Sequence, residues 1–388
     1  MTFTWPKNFY SDGIHGHLRR NPNKPDIGWL VSTKPANVAG VFTRNTFPAA
    51  PVQLDRTIIR LNKPVHAIFV NSANANAFTG DVGMDNTLKT QKLVAERLHC
   101  DESEVLVAST GIIGEQLPMD KIQAGISRLT ESDPMNLAKA MLTTDTTTKT
   151  AQVTTENYQI SGVAKGSGMI HPNMGTMLGF VATDATINQQ LLQQLLRELV
   201  DVTFNQITVD GDTSTNDTVL VLANGDDWSN AIKAGTDAYE SFKANLQQVL
   251  KTLAIAIASD GEGATRLIDV RVTEARSKAS AMKVAKSVVG SNLVKTAVFG
   301  ADPNWGRIVD AIGNVGEVFD ANTLSISINQ APIILNGQAV VDDGTAAQVM
   351  QEKIIVVAIS LGIGHEQGQA WGSDLTYEYV HINAAYHT

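Results

Sequence analysis

Hydrophobic positions along this chain follow two rhythms. Short, nearly unbroken apolar runs, "VHAIFV" at 65–70, "EVLVAS" at 104–109, "DTVLVLANG" at 217–225 and "IDVRVTEA" at 268–275, read as buried strands. Between them the apolar residues recur at helical spacing. Met84, Leu88, Val94, Ala95 and Leu98 fall near one face of a helix over 84–100, and Leu191, Leu192, Leu195, Leu196 and Leu199 form one buried face over 187–200. A helical segment covers the 130s and early 140s. A longer helix near 237–258 ends in "LAIAIA", apolar enough to be buried. Residues 323–341 hold two strand-like runs joined through "NG", a tight-turn signal. Helices and strands alternate in both halves, which predicts the α/β or α+β class. No Pro/Gly linker, repeat or low-complexity tract divides the chain.

The sharpest break in texture is "KGSGMIHPNMGTMLGF" at 165–180, small-residue-rich yet too apolar for a flexible linker. The bulk numbers narrow what it can serve. A chain of 388 residues allows one large domain or two moderate ones. A net charge of −9 disfavours long-range attraction to nucleic acid or an anionic membrane. Cys100 is the only cysteine, so it makes neither an internal disulfide nor a Cys-rich zinc site. No apolar run spans a bilayer, and "MTFTWPKNFY" lacks the basic start and apolar core of a signal peptide. The expectation is a cytoplasmic protein with no nucleic-acid or membrane partner.

Several familiar sites fail on their own terms. There is no GxxxxGK[ST] phosphate loop and no GxSxG elbow. The histidines show no HExxH spacing, so no metal is expected. "DGDTSTND" at 210–217 has Thr215 where a calcium loop requires Gly, and Val221 where it requires the bidentate Glu. Thr176, between Gly175 and Met177, has a more specific chemistry open to it. A threonine hydroxyl needs an adjacent base. Cleavage of the Gly175–Thr176 bond would supply one on the same residue, an α-amine of pKa about 7.7–8.0. The small Gly175 leaves its carbonyl open to attack by the Thr176 hydroxyl, an N-to-O acyl shift that starts self-cleavage. On residue types alone, a small-residue loop with a buried threonine is the preferred reading of the stretch. "STGIIG" at 109–114 has oxyanion-hole character, with the Thr110 hydroxyl and a close backbone approach at Gly111; it also reads as a plain strand-to-helix turn. "TTDTTTK" at 143–149 reads as a hydroxyl-rich helix end, and "ASDGEGATRLI" at 258–268 as a turn with Glu262 solvated. The tail "DLTYEYVHINAAYHT" is apolar and aromatic, and is expected to be docked.

Taken together, "VFTRNTFPAAPV", "ASTGIIG", "TTDT", "AKGSGMIHPNMGTML", "DGEGATRLI", "GADPNWGRI" and "DLTYEYVHINAAYHT" resemble, in order and over nearly the whole chain, the ornithine acetyltransferase family. Its members are also called arginine biosynthesis bifunctional proteins or glutamate N-acetyltransferases. The resemblance implies a layered α/β/β/α fold with a smaller lobe. It implies self-cleavage into an α chain, 1–175, and a β chain, 176–388, assembled as an α2β2 heterotetramer. It implies ping-pong transfer of acetyl from N-acetylornithine to glutamate through acetyl-Thr176, in the cyclic arginine pathway, without a cofactor. Some members also take acetyl-CoA as donor. By the same resemblance Thr110 and Gly111 form the oxyanion site, and Thr143 (with Thr144 its nearest competitor), Lys165, Thr176, Glu262, Asn383 and Thr388 contact substrate. Lys165 would hold the substrate carboxylate and Glu262 its ammonium. Gly175 departs from the alanine usual before the nucleophile. An N-terminal-nucleophile amidohydrolase or aminopeptidase would share the cleavage but use water as acceptor, and an uncleaved amino-acid-binding protein would share neither.

Overall fold

A computed structural model describes residues 2–171, 177–340 and 348–385. Gly175, Thr176 and Thr388 lie outside the described residues, as does the 175/176 chain division. The strands are β1 (Phe9–Ile14), β2 (Ile27–Phe42), β3 (Val65–Asn71), β4 (Val105–Ser109), β5 (Lys149–Thr154), β6 (Gln159–Lys165), β7 (Leu178–Thr183), β8 (Ile207–Thr208), β9 (Thr218–Ala223), β10 (Leu267–Ala275), β11 (Ser325–Ile328), β12 (Ala331–Leu335), β13 (Gln338–Ala339), β14 (Ile354–Ser360) and β15 (Glu366–Ser373). The helices are α1 (Ala50–Arg60), α2 (Gly80–Leu98), α3 (Met119–Ile126), α4 (Pro134–Met141), α5 (Gln189–Asp201), α6 (Asp237–Ser259), α7 (Lys278–Gly290), α8 (Asn292–Phe299), α9 (Trp305–Gly313) and α10 (Tyr377–Ala384).

Strand β2 organises the larger body. Its first part pairs with β1 and β3, its last part with β9, and the β3 register jumps between Val31 and Ala36. The hydrogen-bonded path β4-β3-β2-β9-β7-β6-β5 is continuous, but at β2 it divides into two layers that act as packed sheets, β4-β3-β2 and β2-β9-β7-β6-β5. The inner faces meet in a single core, with Leu30, Ile68 and Leu106 from one sheet against Val163, Phe180 and Leu220 from the other. Successive strand side chains point to opposite faces. The alternate residues Trp29, Phe69 and Val107 accordingly pack outward with α2 and α3 residues such as Val94 and Ile122. On the far side, Ile160, Val181 and Val221 pack against Leu195 of α5 and Leu253 of α6. The result is an α/β/β/α stack. Covering both faces of each sheet explains why the strands read as unbroken apolar runs rather than alternating ones. Within the second sheet, β9 and β7 lie between β2 and β6.

Residues from 267 onward, joined at one edge by β8, build the smaller lobe, a sheet ordered β13-β12-β11-β14-β10-β15-β8. Val284 and Val288 of α7, with Ile308 of α9, pack on Val270 and Val357. The "NG" turn joins β12 to β13, with Asn336 at φ 47° and Gly337 at φ 76°, the paired left-handed geometry of a type I′ hairpin. Asn329 and Gln330, at φ 46° and 72°, make a second such turn between β11 and β12. The region therefore holds three short strands where two runs were expected.

One helix face is corrected, and the tail is docked as expected. Leu88 is 43% exposed, and α2 instead buries Gly83, Thr87, Thr90, Gln91, Val94 and Ala95. The cause is the polar loop before the helix: Asn76 Nδ2 donates to Gly83 O (2.9 Å) and Thr87 Oγ1 (2.8 Å), so the first turns need hydroxyls facing inward. The tail forms α10, which buries none of its own side chains; Tyr377 is 84% and Val380 62% exposed. It is docked by polar contacts rather than by apolar burial. Thr376 Oγ1 donates to Gly263 O (2.8 Å) and accepts from Tyr379 N (3.3 Å). Gly263 has φ +68°, and a Cβ there would lie 2.7 Å from Tyr379 N, so this docking requires glycine.

Candidate active site

The site grows from the end of β4. Past Ser109 the chain runs along the asparagine-rich loop 71–77: Thr110 N donates to Asn71 O (3.0 Å), Ala75 N to Ile112 O (2.9 Å) and Gly114 N to Ala77 O (2.9 Å). Asparagine side chains satisfy what the loop backbone leaves open. Asn71 Nδ2 donates to Asn74 O (2.8 Å), and Asn216 Nδ2 reaches both Ala75 O (2.6 Å) and Ser109 O (2.8 Å). Gly111 sits at φ +135°, where a Cβ would fall 2.2 Å from the Ala73 carbonyl carbon. Only glycine fits, so the backbone beside Thr110 can approach a small ligand closely.

Lys165, at the end of β6, reaches this turn from the neighbouring sheet. Its Nζ donates to Thr110 Oγ1 at 3.2 Å, leaving the threonine its own hydroxyl hydrogen to donate. Burial pushes the Lys165 pKa down, opposed by the charge of Asp145. Asp145 takes backbone hydrogen bonds from Thr143 (3.0 Å) and Gly166 (2.7 Å) and pairs with Lys149 (2.7 Å). Burial alone would raise its pKa, but the ammoniums of Lys165 and Lys149 outweigh that and hold its carboxyl well below the usual carboxylate range. Lys149 in turn pairs with Asp260 at 2.5 Å. This chain of charges fixes Thr143, Lys165 and the turn that carries Glu262.

Glu262 N donates to Ser167 O (3.1 Å), and the carboxylate lies against Gly168, where a Cβ would come within 2.4 Å of it. Asn383 of α10 donates to Glu262 Oε2 at 2.7 Å. The described flanks of segment 172–176 are both tied to the 208–218 stretch. Val209 N donates to Ile170 O (2.6 Å), and Thr218 N to Met177 O (2.9 Å).

Thr110, Gly111, Thr143, Thr144, Lys165, Glu262, Asn383 and Met177 line one cavity of about 170 Å³. The structure thus gathers every sequence-named candidate among the described residues, and it brings in Thr143 and Thr144 alike. With an ammonium at Lys165 and a carboxylate at Glu262, the cavity suits a small molecule bearing both charges. A second cavity of about 850 Å³ shares Gly111, Thr143 and Thr144 with the first and is lined by Arg19, Arg20, Lys121 and Glu115. Among the described residues, no group of three or more His, Cys, Asp or Glu is placed to hold a metal, and no helix is long and apolar enough to cross a membrane.

Sequence reading missed Asp145 and Asn216, which hold the site together. Asp145 stands in the quoted "TTDT", and Asn216 in the "DGDTSTND" stretch tested only for calcium. The available signal was a run of short polar side chains between buried strands, the composition needed where loop backbone must be satisfied internally.

Residues 10–388 match the model of the ArgJ family. The arginine biosynthesis bifunctional protein ArgJ of Oceanobacillus iheyensis is 48% identical over 392 residues, covering 99% of this chain and 96% of that protein. The protein of the same name from Lactococcus lactis subsp. lactis is 49% identical over 393 residues, covering 99% of this chain and 98% of that protein. A crystal structure of the ArgJ protein from Bacillus halodurans aligns with a TM-score of 0.53 at 45% identity, covering 54% of this chain and 100% of that one.

Proposed function

Because this chain belongs to the ArgJ family, we propose that it is a glutamate N-acetyltransferase of arginine biosynthesis that moves acetyl from N-acetylornithine to glutamate. The carrying observation is the convergence of Thr110, Gly111, Lys165 and Glu262 on one small cavity that Met177 also lines. The chain is cut between Gly175 and Thr176, and the new α-amine serves Thr176 as base. The Thr176 hydroxyl attacks the acetyl carbonyl, the C–N bond breaks, and ornithine leaves with the proton. The amine of glutamate then attacks the acetyl ester and regenerates the hydroxyl. In both halves the tetrahedral oxyanion takes hydrogen bonds from the Thr110 hydroxyl and the Gly111 N–H. Lys165 holds the substrate carboxylate, and Glu262, braced by Asn383, its ammonium. Thr143 and Thr388 complete the substrate contacts.

The coverage figures support two chains. The Bacillus halodurans chain is matched in full by 54% of this one, close to the share that residues 176–388 make up. The two parts remain together and assemble as α2β2 in the cytoplasm, and the exchange needs no cofactor. The larger, cation-lined cavity beside the oxyanion turn favours acetyl-CoA as a second donor, because its phosphates match Arg19, Arg20 and Lys121.

Denaturing mass spectrometry of wild type and Thr176→Ala, with acetyl-transfer assays on both, tests the reading. Wild type gives two species, the second starting at Thr176, and needs glutamate for sustained ornithine release. Thr176→Ala stays whole and inactive. A cleaved, active Thr176→Ala protein would sink the mechanism, and sustained turnover without glutamate would make the enzyme a hydrolase.

A further inference from the structure

Asp210 takes no part in the chemistry above, yet it grips the chain just before the segment to be cut. Its Oδ2 accepts from Met169 N at 2.6 Å and its Oδ1 from Ile170 N at 2.8 Å. Val209 N, one residue away, donates to Ile170 O at 2.6 Å. Met169 lines the cavity in a left-handed conformation, φ 56°, that a residue with a Cβ rarely adopts. Such a conformation persists only where its surroundings over-determine it, and charge-assisted hydrogen bonds to consecutive N–H groups do so here. Tyr379, on the helix α10 whose Asn383 braces Glu262, faces the same carboxylate, whose charge adds to burial in pushing the phenol's pKa up. Asp210 lies downstream of the cut, and Met169 and Ile170 lie upstream.

We propose that Asp210 is a positioning residue that sets the course of the chain into the scissile segment and, through Tyr379, ties the C-terminal helix to that course. The inference rests on the self-processing reading above. Before cleavage Asp210 aims the upstream limb. After cleavage it holds the end of one chain with a side chain of the other, and the state of the cavity becomes linked to the seating of α10.

The test compares full-length Asp210→Asn, Asp210→Glu and Tyr379→Phe with wild type. It reads the rate of conversion to two chains by mass spectrometry, then kcat and KM for N-acetylornithine, with melting temperature alongside. Asparagine turns one acceptor into a donor facing an N–H, so Asp210→Asn slows conversion by roughly 10²-fold, as small misplacements of reacting groups do. Asp210→Glu restores part of the rate. Tyr379→Phe converts at the wild-type rate but raises KM several-fold, with kcat changed less. Val357→Ala, a cavity variant in the remote lobe, supplies the control at matched melting temperature. Conversion of Asp210→Asn at the wild-type rate, or slowing no greater than in that control, would overturn the proposal. A wild-type protein that stays whole would instead defeat the processing reading. The latch would then be judged by N-acetylornithine titration, and unchanged affinity in both Asp210→Asn and Tyr379→Phe would overturn it.

Discussion

At the scale of single residues, the most telling pair is Thr110 and Lys165. They come from different sheets, and a hydroxyl that accepts from a buried ammonium is polarised to donate more strongly through its own hydrogen. Thr110→Ala is therefore expected to lower turnover by roughly 10²–10³ while leaving KM near its wild-type value. Steady-state kinetics on the processed protein checks this, and Thr110→Ser should recover most of the loss. Wild-type turnover in Thr110→Ala would remove the residue from the oxyanion role. These positions were legible in the sequence because their chemistry is local: a glycine that no other residue can replace sits beside a hydroxyl at a strand end. What lay hidden was the company they keep. Nothing in the string "TTDT" announces that its aspartate, rather than its hydroxyls, carries the electrostatics, because that depends on Lys165 arriving from a strand that follows it in the chain.

At the scale of elements, Asp145 joins the loop after α4 to β5, β6 and, through Lys149, to Asp260 at the end of α6. Replacing it with asparagine removes one of the two carboxylates on Lys149 and the charge that most supports the buried Lys165 ammonium, and breaking a buried pair in this way costs up to about 3–5 kcal/mol. Asp145→Asn should show a clearly lower melting temperature at pH 7. The folded pKa of this carboxyl lies below its unfolded value, so its stabilisation is complete above about pH 4 and is lost as pH falls from there toward the depressed folded value. The gap between wild type and variant should accordingly close in acid; melting curves from pH 7 to pH 3 follow it, and a constant gap would contradict the pairing. Element types were readable wherever one solvent decided them. The strands of the stacked sheets are apolar on both faces, and α5 carries a single leucine face. Reading failed where polar partners decide, as at Leu88, whose helix turns its hydroxyls inward to meet Asn76. At α10 the docking was legible, but its polar anchors at Gly263 and Glu262 were not.

At the scale of the whole molecule, the oxyanion turn separates two cavities of very different size. One of about 170 Å³ suits an acetylated amino acid. The other, of about 850 Å³ with three cations on its wall, suits a larger phosphate-bearing donor. Combining Arg20→Glu with Lys121→Glu should raise KM for acetyl-CoA by an order of magnitude or more, consistent with losing charge-assisted bonds worth about 1.5–3 kcal/mol each. The N-acetylornithine reaction should continue unchanged. Equal effects on both donors, or on neither, would refute the division of labour.

The interleaving of β7 and β9 between β2 and β6 sets an order in time. A cut between residues 175 and 176 leaves each product owning strands whose neighbours belong to the other. The ladder must already stand when the bond breaks, because only a joined chain brings those strands together without a bimolecular search. A protein cut there would be an heirloom of its precursor. Its halves would keep an arrangement they had little means of finding as strangers, and once unravelled and parted they would have lost the tether that first assembled them.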